Sequence, residues 1–117
     1  MVTTRIQLDE NGCIRYAEAD GHAGGALKGE NAACAGVTVL MRTAARLLEG
    51  DDDIRLNGEA PHPGSLFFRV DGYPGGKIDR LRGITQFLCL GLRDLQEDFP
   101  GDIEVRIEKG KEYTDGT

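Results

Sequence analysis

Cys34 stands where a glycine-broken stretch gives way to an apolar-periodic segment, and His22 lies twelve residues upstream. The thiolate is the reactive form of cysteine, and helix N-termini and neighbouring imidazolium both stabilise it. As a nucleophile–base pair, Cys34 would attack a carbonyl carbon while His22 takes the thiol proton and returns it to the leaving amine. Between them runs Gly24-Gly25-Ala26-Leu27-Lys28-Gly29, a composition that lets an extended peptide lie across the site and the loop close over it. Gly24, Gly25 and Gly29 are therefore candidate substrate contacts. Asn31 has two readings: an amide that orients the imidazole, or an N-cap that accepts a free amide of the first helical turn. The plainer alternative is a small core thiol at Cys34 and an ordinary strand-end histidine at His22. Spacing alone leaves both open.

The elements that must position these residues are legible in the periodicity. Val2, Thr4, Ile6 and Leu8 alternate with polar neighbours as a half-buried strand. Asp9-Glu10-Asn11-Gly12 turns the chain, and a three-residue loop with left-handed Gly12 would pair Leu8 with Ile14 and Ile6 with Tyr16. A helix is expected from Ala32 to Glu49, capped by Asn31, with Cys34, Val37, Met41, Ala45 and Leu48 on one face. That start puts Cys34 at the third helical position, where the dipole is still felt. Asp53–Asn57 and Ser65–Asp71 read as short strands around a Pro-rich loop containing His62. Leu81, Ile84, Leu88, Leu92, Leu95 and Phe99 form the stripe of a second helix over 78–99, and Ile103, Val105 and Ile107 a last strand. The order β-β-α-β-β-α-β argues for one α+β domain over 1–108, two helices covering one face of a mostly antiparallel sheet. Residues 109–117 read as a frayed tail.

Composition narrows the function classes. The 117 residues suit a single domain, and a net charge of −6 disfavours direct nucleic acid binding while favouring a basic partner. Three cysteines, Cys13, Cys34 and Cys89, show no paired spacing, so neither a disulfide framework nor a zinc site is expected. Cys13 and Cys89 read as core residues, His62 as a solvated loop residue, and Asp51-Asp52-Asp53 as solvated surface. No apolar run follows Met1, so a signal peptide and a membrane span are not expected, and a reducing cytoplasm is the expected home. No cofactor is called for.

Gly21-His22-Ala23, the glycine-containing loop and Gly29-x-Asn31-x-x-Cys34-Ala35-Gly36-Val37-Thr38 resemble the bacterial ribosomal-processing cysteine protease (Prp) family. The resemblance continues in Gly91-Leu92-Arg93-Asp94-Leu95 and in Phe99-Pro100-Gly101-Asp102-Ile103-Glu104-Val105. It implies a cytoplasmic, homodimeric cysteine endopeptidase that removes a short N-terminal extension from a large-subunit ribosomal protein of the L-twenty-seven type. By position, His22 matches the family's general base, Cys34 its nucleophile, and Thr38 a hydroxyl residue lining the substrate site. The family usually carries an aspartate where this chain has Asn31. An amide brings no negative charge to an imidazolium, so the alternative expectation is a weakened, peptide-binding assembly module of the same fold.

Overall fold

A computed structural model describes residues 1–21, 28–59 and 65–110, the first four residues of its first helix by their backbone alone. The elements are β1 (Val2–Leu8), β2 (Ile14–Asp20), α1 (Lys28–Glu49), β3 (Arg55–Glu59), β4 (Ser65–Gly72), a 3-10 turn (Gly75–Lys77), α2 (Ile78–Asp98) and β5 (Ile103–Lys109). The sheet runs β3-β4-β2-β1-β5, antiparallel throughout except for the parallel pair β1 and β5. This is the α+β order expected from the periodicity. Lys109, expected in the tail, ends β5, and 111–117 lie outside the described residues.

Both helices are crossovers. β2 and β3 point the same way and are joined through α1, while β4 and β5 are joined through α2. Because β2 and β4 are antiparallel and the two crossovers step in opposite directions, one right-handed sense places both helices on the same face. Val2, Ile6, Ala17, Phe68, Val70 and Ile103 of the sheet thus meet Val37, Met41 and Leu48 of α1 and Leu81, Leu88 and Leu92 of α2. Each large aliphatic side chain buried this way stabilises the fold by about 1.5–3 kcal/mol.

The first hairpin closes as the turn chemistry demands. Gly12 is left-handed at φ 77°, and the Asp9 N–H donates to the Cys13 carbonyl at 2.8 Å across a three-residue loop. The Asp9 carboxylate organises that loop, accepting the N–H groups of Asn11 (2.8 Å) and Cys13 (3.0 Å) and the Tyr73 hydroxyl. Leu8 lies opposite Ile14 as expected, but Ile6 pairs with Ala17 rather than Tyr16, because the register shifts between Gln7 and Leu8. Ile14, Ala17 and Ala19 are all buried. Strict alternation would put Ile14 on the face opposite the two alanines, and one extra residue reconciles them. Buried Thr85 of α2 holds the shifted strand: its hydroxyl accepts the Ile14 N–H at 2.9 Å and donates to the Leu81 carbonyl at 2.7 Å.

β3 starts at Arg55, two residues later than expected, because Asp51 holds the preceding chain in a turn. Its carboxylate accepts the Asp53 N–H at 3.0 Å, and its carbonyl accepts the Ile54 N–H at 3.0 Å. Lys77 Nζ and Arg80 Nε approach the same carboxylate at 3.0 and 3.2 Å, leaving the side chain 8% exposed. Asp51 is therefore a tertiary anchor, in contrast to the solvated surface its acidic neighbours suggested. The Lys77 ammonium, foremost, holds its carboxyl below the usual aspartate range.

Two stability experiments follow from these contacts. Thr85→Val keeps the shape but strands the Ile14 N–H, so the urea midpoint falls by the equivalent of about 1–3 kcal/mol. Asp51→Asn lowers the midpoint at pH 7. Since the folded-state pKa is depressed, the Asp51 contribution is present above the unfolded value and is lost as pH falls through the folded one. The gap between wild type and variant therefore narrows below about pH 4, and midpoints compared across that range would show it.

Candidate active site

The site is built on the N-terminal half of α1. That helix begins at Lys28, earlier than an Asn31 cap would allow, so Asn31 sits inside its first turn. Neither Gly29 nor Asn31 stops it, because each costs only about 0.5–1 kcal/mol in a helix and extension adds a hydrogen bond per residue. Cys34 consequently lies in the second turn rather than at the third position. Its own N–H is inside the hydrogen-bond ladder, beyond the first-turn amides where the dipole is strongest.

What places Cys34 is the rotation of α1 about its axis. Gly36 faces Leu95 of α2, where a β-carbon would come within 2.9 Å of a Leu95 methyl, and Gly91 of α2 faces Leu40 at 3.0 Å. The two helices interlock antiparallel through these notches. With Gly36 and Leu40 turned toward α2 and Ala33, Val37, Met41, Ala44 and Leu48 toward the sheet, helical geometry puts Cys34, Thr38, Ala45 and Glu49 on the remaining flank, away from α2. Cys34 and Thr38 are half-buried there, with Cys34 packed on the edge of the core. The expected stripe is thus rotated: Ala33 and Ala44 are its buried members, and Cys34 is marginal to it.

In the sheet, β2 ends at Asp20 opposite Thr3 and Ser65. Gly21 follows, packed so closely on β1 that a β-carbon would lie 3.1 Å from a Val2 methyl and 3.3 Å from its Cα. The chain entering His22 therefore leaves the sheet from a fixed point on the same crossover that carries Cys34. His22, Gly24 and Gly25, and likewise His62, lie outside the described residues, as do the side chain of Asn31 and the surroundings of Gly29. Gly36, seen in the sequence only as part of a motif, has a packing role, and the signal for it is a leucine at the facing position of α2. Among the described residues no three His, Cys, Asp or Glu side chains gather as a metal site, and no helix is long and apolar enough to cross a membrane.

Comparison with known proteins places this geometry. The family model of cysteine protease Prp matches residues 1–104. Among solved structures, the Staphylococcus aureus essential ribosomal processing protease Prp, crystallised with a substrate peptide, is similar at 19% identity, with a TM-score of 0.75 over 92% of this chain and 99% of that one. The same protease with a covalently linked product peptide gives 20% identity and 0.72 over the same shares. A Streptococcus mutans protein gives 23% identity and 0.72, covering 93% of this chain and 95% of that one. Among curated proteins no match is found.

The three thiols are not equivalent. Cys13 is fully buried, its Sγ 3.6 Å from the Ile78 carbonyl, and burial pushes the thiol up. Cys89 is partly buried on α2, and burial raises it as well. Core packing is the observed role of Cys13, as expected. A thiol that is both raised and covered reacts slowly. In native protein at neutral pH, iodoacetamide should therefore modify Cys34 first, Cys89 more slowly and Cys13 only on unfolding. Peptide mapping of a labelling time course checks that order, which preferential modification of Cys89 or Cys13 would contradict.

Proposed function

This chain belongs to the cysteine protease Prp family, and we propose that it is a thiol endopeptidase with Cys34 as nucleophile and His22 as general base and acid. The observation that carries the reading is the family match over residues 1–104 together with a half-buried Cys34 on the flank of α1 turned away from α2. In the proposed reaction His22 accepts the Cys34 proton and the sulfur attacks the scissile carbonyl carbon, moving its π electrons onto oxygen. The tetrahedral oxyanion collapses, the C–N bond breaks, and the protonated imidazole gives its proton to the leaving amine. A thioester remains. His22 then takes a proton from water as that water attacks the thioester, the tetrahedral intermediate collapses with the C–S bond breaking, and the imidazolium returns its proton to the departing sulfur as the acid product leaves. Asn31 orients the imidazole in this scheme, while Thr38, one turn beyond Cys34, and Gly24, Gly25 and Gly29 contact the substrate chain.

The substrate we propose is the N-terminal extension of a large-subunit ribosomal protein, of the L-twenty-seven type. The relatives solved with peptides are described as ribosomal processing proteases, and a net charge of −6 suits a basic ribosomal segment. We place the protein in the cytoplasm as a homodimer. Exposed Val39 (62%), Leu47, Phe87 and Leu90 (65%) on the outer face of the helix layer support self-association.

The reading is tested with a synthetic peptide copying the N-terminus of that ribosomal protein from the same organism, with products followed by mass spectrometry. Cys34→Ala should lower turnover by at least about 10³-fold and His22→Ala by about 10²–10⁴-fold. Asn31→Asp, which adds a negative charge beside the imidazolium, should raise it. Peptide binding with no turnover in wild type and unchanged in Cys34→Ala would instead assign a binding module.

A further inference from the structure

The flank that carries Cys34 does not end at the active site. Residues eleven apart in a helix lie almost on one line, so Cys34 and Ala45 share it, with Thr38 and Glu49 beside them. Ala45 and Glu49 form one wall of a groove of about 410 Å³ whose other wall is β3 and β4, through Leu56, Gly58, Glu59 and Leu66. A volume of that size holds several side chains. β3 is an edge strand, paired to β4 alone among the described residues, so every second residue presents an N–H and a C=O outward. Next to its C-terminal residue, Gly58 is kept small by β4, since a β-carbon would meet the Phe67 carbonyl oxygen and the Phe68 Cβ at 3.0 Å. Gly58 thus puts no side chain between the groove and the edge of β3. Glu49 borders the groove from α1, whereas Glu59, alternating with Gly58, sits with Asn57 and Phe67 on the face of the sheet turned away from the helices; the lining contains no cation, and neither carboxylate is ion-paired among the described residues.

Resting on the protease reading of Cys34, we propose that this groove is a distal substrate subsite. An extended, basic stretch of the substrate chain adds to the edge of β3 as a further strand, with alternate Lys or Arg side chains directed at Glu49 on the helix side and at Glu59 on the other face. Main-chain pairing supplies affinity in strand addition, and the side-chain contacts supply selectivity. Cys34 and Ala45 are about 16 Å apart along the helix, which an extended chain spans in about five residues. The subsite therefore reads residues about five positions from the scissile bond, and a protease built this way distinguishes its substrate well away from the cut.

The experiment uses the full chain and the synthetic ribosomal N-terminal peptide, alongside a copy with its Lys and Arg replaced by Gln. On the basic peptide, Glu49→Gln/Glu59→Gln should raise KM about three- to tenfold at low salt with kcat retained, and the penalty should vanish on the Gln peptide. In Cys34→Ala, hydrogen exchange at the amides of 56–59 should slow when the basic peptide is added. If the peptide is cut but those amides and KM do not respond, the subsite falls and the protease stands. If it is neither cut nor bound, both fall. Protection of 56–59 that rises with protein concentration and needs no peptide would assign the edge to a second copy of the chain and overturn the proposal.

Discussion

The reciprocal packing of Leu95 over Gly36 and Leu40 over Gly91 is the contact on which the rest of the molecule depends. Two helices covering one face of a sheet have freedom to rotate about their axes, and an amphipathic stripe alone tolerates some drift. A leucine seated in a glycine notch on each partner removes that freedom, because the backbones approach only where a side chain is missing. Once α1 is locked, one stripe faces the sheet and one flank faces α2. The thiol is left on the opposite flank, half-buried at the edge of the core.

A second set of interactions fixes the other end of the sandwich. Asp9 with Tyr73, Thr85 with Ile14, and Asp51 with Lys77 and Arg80 tie the first hairpin, the end of α1 and the start of α2 together. Each satisfies a polar group at a junction where helix or strand pairing runs out, and an unmet group in such a place costs about 1–3 kcal/mol. Their concentration away from Cys34 divides the labour of the fold. One end is cross-braced by tertiary hydrogen bonds, and the other carries Cys34, which among the described residues rests on aliphatic packing.

Much of this was legible in the residues, and the exceptions have physical causes. Alternation of period two and the Leu81–Leu92 stripe located five strands and the second helix, and Asn11-Gly12 located the turn. The register beyond that turn was not legible, because the bulge at Arg15 serves burial of Ile14 and the hydrogen bond its N–H donates to Thr85, 71 residues away. Asn31 is a good cap by local chemistry, yet the helix passes through it, since the cost of an interior asparagine is small beside the gain from continuing. Asp51 looked like its solvated neighbours because its partners, Lys77 and Arg80, are remote in sequence. Cys34 was found from residue type and spacing. Its accessibility came from helix rotation, which no local pattern encodes.

The parallel pairing of β1 with β5 carries a consequence for how the protein comes into being. Thr4 and Val105 are partners in that ladder, and the Thr4 hydroxyl donates to the Glu104 carbonyl, so the first strand made waits for the last. Until β5 has been synthesised, β1 offers one paired edge to β2 and one edge without its partner strand. Contacts of such long sequence separation close late and slow folding. A molecule proposed to trim newly made ribosomal chains must thus itself be made as far as β5 before its own sheet is complete.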